Sequence, residues 1–181
     1  MSQDVLKIAR ALDFAARKHA AQRRKGEAAE PYVNHVAEVA CLVAEATGGR
    51  DADLVVAALL HDTIEDTGVK REELEAAFGA GVAALVAEVT DDKSLAKPER
   101  KRLQVEHAPH KSERAKMIKL ADKTSNLRSI LRSPPARWDL ARRREYFDWA
   151  ARVAAGCRGV SPDLERRFDE AHAAGLAALG R

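Results

Sequence analysis

Seven apolar residues in a row, Leu54-Val55-Val56-Ala57-Ala58-Leu59-Leu60, lead directly into His61-Asp62-Thr63-Ile64-Glu65-Asp66. A helix that is apolar on nearly every side has no face to offer water, so this one has to run through the centre of a domain. Where the run ends, one imidazole and three carboxylates fall within six residues. An imidazole beside a carboxylate, with two more acids one turn further on, can hold a divalent metal and set proton-transfer groups next to it. The segment points to a metal hydrolase.

The rest of the chain supplies the helices needed to surround that run. Val5, Ile8, Leu12 and Ala15 recur at helical intervals from Gln3 to about His19, with Ser2 as the expected N-cap. Gly26 and Pro31 mark a loop from Arg23 to Val33, and a second helix ends near Gly48-Gly49. Asp51 caps the apolar third helix, Ala52 to about Thr63, which on this reading carries His61 and Asp62 in its last turn. Helices follow at Lys70 to Phe78, Gly81 to Val89, and Pro98 to about His107, with a polar loop at Asp91 to Lys97. Ser112 caps a long helix that Pro134-Pro135 ends, and two more run from about Ala136 to Ala155 and Pro162 to Leu179. No alternating strand pattern is present. The expected architecture is all-α, one compact domain of about eight to ten helices spanning residues 1–181.

Composition excludes other classes of function. With 31 basic residues interleaved among 28 acidic ones, the net charge of +3 makes no broad field for nucleic acid. Arg23-Arg24-Lys25, Lys97 to Arg102 and Arg142-Arg143-Arg144 are local clusters that suit a phosphate-rich small molecule, although a solvated helix face accounts equally for any one of them. Cys41 and Cys157 lack metal-ligand spacing and are expected to be reduced thiols. No basic leader with an apolar core opens the chain, and no stretch approaches about 18 consecutive apolar residues, so the cytosol is the expected compartment.

His61 and Asp62 give only two of the roughly four ligands that a cation site needs. His35, at the start of the second helix, and Asp122, inside an apolar helical stretch, are the candidates for the others. A buried carboxylate needs a cation or several donors, and Lys119 and Lys123 are the side chains that could pair with Asp122 instead. Two imidazoles and two carboxylates with no thiolate suit manganese, iron, magnesium or zinc. Trp138, Phe147 and Trp149 read as packing residues, and Tyr146 reads equally as core or pocket.

Taken together, Gln22-Arg23-Arg24-Lys25-Gly26, Pro31-Tyr32-Val33-Asn34-His35, Ala57-Ala58-Leu59-Leu60-His61-Asp62-Thr63-Ile64-Glu65-Asp66-Thr67, Val89-Thr90-Asp91-Asp92-Lys93-Ser94-Leu95, Arg100-Lys101 and Lys119-Leu120-Ala121-Asp122-Lys123-Thr124-Ser125-Asn126-Leu127-Arg128 resemble the HD-domain phosphohydrolases. Among those the chain is similar to the single-domain alarmone hydrolases, and the Glu65-Asp66 pair is the specific part of the match. The resemblance implies manganese held by His35, His61, Asp62 and Asp122, with Glu65 and Asp66 as the catalytic pair. It further implies that Arg24 stacks on a guanine base, Lys25 contacts the nucleotide, and Asn126 and Arg128 hold ribose and phosphate. Lys97, Arg100 and Lys101 would receive the distal phosphates, with Arg142 and Tyr146 lining the same pocket. The implied reaction is hydrolysis of guanosine 3′,5′-bis(diphosphate), or its triphosphate relative, to GDP or GTP and pyrophosphate. No synthetase segment accompanies these motifs, so hydrolysis without synthesis is expected. Removal of the 2′-phosphate of NADPH is an alternative for the same site, and a non-catalytic guanine-nucleotide sensor is another. Oligomeric state is left open.

Overall fold

A computed structural model of the protein describes residues 2–180 and contains ten α-helices, one short 3-10 turn and no strand among them. In chain order these are α1 (Ser2–Lys18), α2 (Val33–Thr47), α3 (Ala52–Leu60), α4 (Thr63–Thr67), α5 (Arg71–Phe78), α6 (Ala80–Val89), α7 (Lys97–His107), α8 (Glu113–Arg132), α9 (Leu140–Gly156) and α10 (Pro162–Ala178). All seven residues from Leu54 to Leu60 are buried. Around α3 pack α1, α2, α6 and α8, and α8 in turn meets α9 and α10. The capping role expected of the Ser2 side chain lies outside the described residues. None of the described helices is long and apolar enough to cross a membrane.

Side-chain caps set several of the helix starts. Asp51 accepts from Leu54 N at 3.0 Å and so caps α3, while its carboxylate also takes Arg114 of α8. Ser112 and Asp139 cap α8 and α9 in the same way. The start of α9 differs from the expected Ala136: Trp138 N donates to Pro135 O in a turn, and helix begins only beyond the Asp139 cap. The 3-10 turn Ala108–His110, with Pro109 inside it, was not anticipated from the sequence.

The third helix also ends sooner than expected, at Leu60 rather than about Thr63. His61 Nδ1 donates to Ala58 O at 2.8 Å and Thr63 Oγ1 to Leu60 O at 2.6 Å, so side chains take carbonyls that the next helical turn would have used. The chain turns at His61-Asp62 and restarts as α4, which carries Glu65 and Asp66.

Candidate active site

Three elements converge on one point: the first turn of α2 with His35, the α3–α4 junction with His61 and Asp62, and the middle of α8 with Asp122. The two imidazole rings are buried, their centroids 5.2 Å apart. Each ring is anchored through Nδ1. His61 uses Ala58 O; His35 donates to Ser125 Oγ at 2.9 Å, and that hydroxyl donates onward to Glu38 Oε2 at 2.8 Å. Anchoring Nδ1–H leaves the Nε2 lone pair of both rings free for a ligand.

Both Nε2 atoms face the carboxylates. His35 Nε2 lies 3.3 Å from Asp122 Oδ1 and 3.6 Å from Asp62 Oδ2, and His61 Nε2 lies 3.0 Å from Asp62 Oδ2 and 4.0 Å from Asp122 Oδ1. His61 Nε2 is nonetheless buried without a properly directed hydrogen bond. One ligand atom each from His35, His61 and Asp62 falls within 4.8 Å of the others. An unsatisfied imidazole nitrogen amid converging oxygens is the environment that a divalent cation completes. The residues present therefore fit one.

Charge balance agrees with that fit. Burial alone would raise the Asp62 carboxyl, but His61 and His35 hold it well below the usual range. Burial likewise opposes ionisation of Asp122, and Lys123 Nζ at 2.8 Å together with the imidazoles holds it far down. His61 resists charge by its burial, yet Asp62 and Asp122 push it up to about 9. The pocket thus prefers a positive charge, for which a proton and a metal ion compete.

Beside this cluster lie Glu65 and Asp66 of α4; Glu65 is half-buried, and Asp66 is an exposed residue whose carboxylate is mostly covered by its partners. Glu65 Oε2 accepts from Asp91 N at 3.1 Å, and its Oε1 lies 3.6 Å from both Lys93 Nζ and Arg100 Nη1. Burial, then Asp91 and Asp62, raise its carboxyl above the ordinary value. Asp66 accepts from Gln22 Nε2 at 2.8 Å on one oxygen and from Lys93 Nζ at 2.6 Å on the other.

A cavity of about 160 Å³ adjoins the cluster, lined by Gln22, Arg24, Lys25, Gly26, Tyr32, Asn126, Trp138 and Tyr146 among others. Tyr32 and Asn126 connect the two. Tyr32 donates to Asp62 Oδ2 and Asn126 to Asp122 Oδ1, each at 2.6 Å. Tyr146 lies on the pocket wall, and burial first of all pushes its hydroxyl up to about 12. Trp138, expected only to pack, lines the same cavity under the Arg142 guanidinium, 4.9 Å from its ring. Phe147 and Trp149 are buried as expected.

The basic candidates divide. Lys97 is pushed below its usual range by burial and by Lys25, Arg142, Lys101 and Arg100, so these five side chains form one positive field. Lys101 also pairs with Glu145 at 3.1 Å, and Arg100 is drawn to Glu65. Of the basic candidates for substrate binding only Arg24 and Lys25 line the cavity itself; Lys97, Arg100, Lys101, Arg128 and Arg142 do not, and the Arg128 guanidinium meets Glu38 at 3.4 Å. Lys123 pairs with Asp122, while Lys119 donates to Val89 O at 2.7 Å.

Sequence reading gave no role to Gln22, Tyr32, Glu38, Lys93 and Ser125, although all but Glu38 fall inside the motifs that carry the resemblance. Spacing also pointed to two of them: Glu38 stands three residues after His35 and Ser125 three after Asp122, as helical neighbours on one face do.

Comparison with known proteins places this geometry. The HD domain family profile matches residues 11–151. The chain is 50% identical over 169 residues to a Xenopus tropicalis protein named guanosine-3′,5′-bis(diphosphate) 3′-pyrophosphohydrolase MESH1, covering 93% of this chain and 94% of that one. It is 51% identical over 165 residues to the human protein of the same name, covering 91% and 92%. A solved structure, described as a metazoan orthologue of SpoT that hydrolyses ppGpp and plays a role in starvation responses, superposes with a TM-score of 0.89 at 47% identity, over 93% of this chain and 94% of that one. With a buried imidazole–carboxylate cluster at the end of its central helix and this extent of matching sequence, the chain belongs to the HD-domain family of hydrolases.

Proposed function

We propose that the protein hydrolyses guanosine 3′,5′-bis(diphosphate) to GDP and pyrophosphate with a divalent cation, manganese by family resemblance, held by His35, His61, Asp62 and Asp122. The observation that carries this reading is the convergence of the imidazole–carboxylate cluster, the Glu65-Asp66 pair and a cavity with a basic rim, joined through Tyr32 and Asn126. When bound, the cation acidifies water and draws charge from phosphoryl oxygens.

The side chains do the rest. Glu65, whose affinity for a proton is raised by burial and acidic neighbours, takes the proton of the water that attacks the phosphorus on the ribose 3′ oxygen. As the bond from phosphorus to that oxygen breaks, Glu65 returns the proton to it and pyrophosphate departs. Asp66, fixed on both oxygens, orients the water. Lys97, Arg100 and Lys101 neutralise the distal phosphates. Arg24 and Lys25 hold the base and nucleotide, Asn126 the ribose, and Tyr146 closes the pocket wall beside Trp138, which carries Arg142 over its ring.

Purified protein supplied with manganese releases pyrophosphate from this nucleotide. Glu65→Ala and Asp66→Ala each abolish release while circular dichroism and the melting midpoint report an intact fold. Absence of release by the wild type across manganese, iron, magnesium and zinc refutes the assignment.

A further inference from the structure

His19, just past the end of α1, is 2% exposed, and none of the roles above uses it. Its Nδ1 lies 2.6 Å from Gln22 Oε1, and Gln22 Nε2 lies 2.8 Å from Asp66 Oδ2. The directions of these bonds are fixed by their ends. An ionised Asp66 only accepts, so Gln22 has to turn its NH₂ toward it and its carbonyl oxygen toward His19. His19 then has to carry its proton on Nδ1. Its Nε2 is buried with no partner, a loss that packing alone does not explain. The ring is held in place by Tyr32, 4.9 Å away between centroids, which in turn donates to Asp62.

We infer that His19 is a positioning residue for the hydrolytic reaction: through the Gln22 amide it fixes the carboxylate plane of Asp66. Without the Nδ1–H group, the amide loses the contact that selects its orientation. The flipped amide sets an oxygen against an oxygen at Asp66, and the carboxylate swings away from the water it orients. The inference rests on the assignment of Asp66 made above.

Asparagine and glutamine separate the two ring nitrogens, since an asparagine amide nitrogen falls where Nδ1 stood and a glutamine one where Nε2 stood. Turnover of guanosine 3′,5′-bis(diphosphate) with manganese is measured for wild type, Asp66→Asn, His19→Asn, His19→Gln and Gln22→Met. Asp66→Asn loses more than about 100-fold in kcat. His19→Asn stays within about threefold of wild type, whereas His19→Gln and Gln22→Met lose roughly 10- to 100-fold in kcat with KM moved less than about threefold. Equal kcat for the two His19 variants, or wild-type kcat for Gln22→Met, overturns the relay when Asp66→Asn is dead and leaves the assignment of the site standing. Wild-type turnover by Asp66→Asn overturns both. Long-range ¹H–¹⁵N spectra of the metal-free protein give a readout independent of turnover: His19 protonated on Nδ1 supports the relay, and protonation on Nε2 alone overturns it. Should His19→Gln fail to fold, Gln22→Met and the tautomer decide.

Discussion

Gly26 sits where the loop bearing Arg24 and Lys25 crosses the end of α8. Ala28 N donates to Ser133 Oγ at 2.9 Å and Glu27 N to Pro134 O at 3.3 Å, while Arg24 N donates to Glu30 O at 2.8 Å across the loop. A methyl group on Gly26 would lie 2.5 Å from Ser133 Oγ and 2.9 Å from its Cβ, and closer still to its carbonyl oxygen. Ordinary contact begins at 3.4 Å, so Gly26→Ala forces the loop outward by about 1 Å. Overpacking of this kind costs about 1–3 kcal/mol. In a chain of this size that lowers the melting midpoint by roughly 2–12 °C. The larger effect is on substrate. Displacement by about 1 Å of groups that grip the nucleotide costs up to roughly 100-fold. In the role proposed for them, Arg24 and Lys25 grip ground state and transition state alike, so the loss falls on KM and leaves kcat. Steady-state kinetics with guanosine 3′,5′-bis(diphosphate) and a thermal melt test both halves. An unchanged midpoint refutes the packing argument, and a lowered midpoint with KM within about twofold refutes the role given to the loop.

Three further outcomes follow from the geometry. Glu38→Ala removes the acceptor behind Ser125 and His35, and should weaken manganese binding by about 10- to 100-fold in a metal titration while kcat at saturating metal recovers; an unchanged titration is the contrary result. Burial and the acids Asp91 and Asp62 raise the folded-state pKa of Glu65 above its unfolded value, so its stabilising contribution is present in acid and lost as pH rises through the folded pKa. Metal-free Glu65→Gln should therefore melt above wild type at neutral pH, with the difference vanishing below the carboxylate range, and a gain that persists in acid would contradict this. Gly175→Ala sets a methyl group 2.5 Å from Cζ of the fully buried Phe147, which has no room to yield, and should cost about 3 kcal/mol by denaturant unfolding without altering KM.

The main core helices were legible because they bury apolar residues spaced at the helical period, and Asp51 and Ser112 carry cap chemistry in their own side chains; α7, which buries no residue, was read from Pro98 instead, and the Asp139 cap of α9 went unread. What the sequence hid depended on partners brought in from elsewhere. Lys119 and Lys123 both flank Asp122, and only the packing of α6 against α8 decides that Lys119 goes to Val89 O and Lys123 to the carboxylate. Arg128 was read with Asn126 as a holder of ribose and phosphate, and its contact with Glu38 of α2 was not readable from the sequence. The break after Leu60 turned on side chains competing for carbonyls, which periodicity does not register. Residues proposed to bind directly were visible as residue types in a pattern; Gln22, Glu38 and Ser125, which hydrogen-bond to them or behind them, look like ordinary polar positions on a helix or loop.

The middle of α8 is buried without interruption from Ile118 to Ser125, and Lys119, Asp122, Lys123, Thr124 and Ser125 all lie within that stretch. Charges enclosed this deeply add little to cohesion, and apolar substitutes of matching volume often make a bundle tougher. Selection for heat resistance alone would therefore erode this segment first, yielding hardy but inert proteins whose lesions cluster in one stretch of a single helix. Mapping such survivors would separate the part of the molecule kept for chemistry from the part kept for shape.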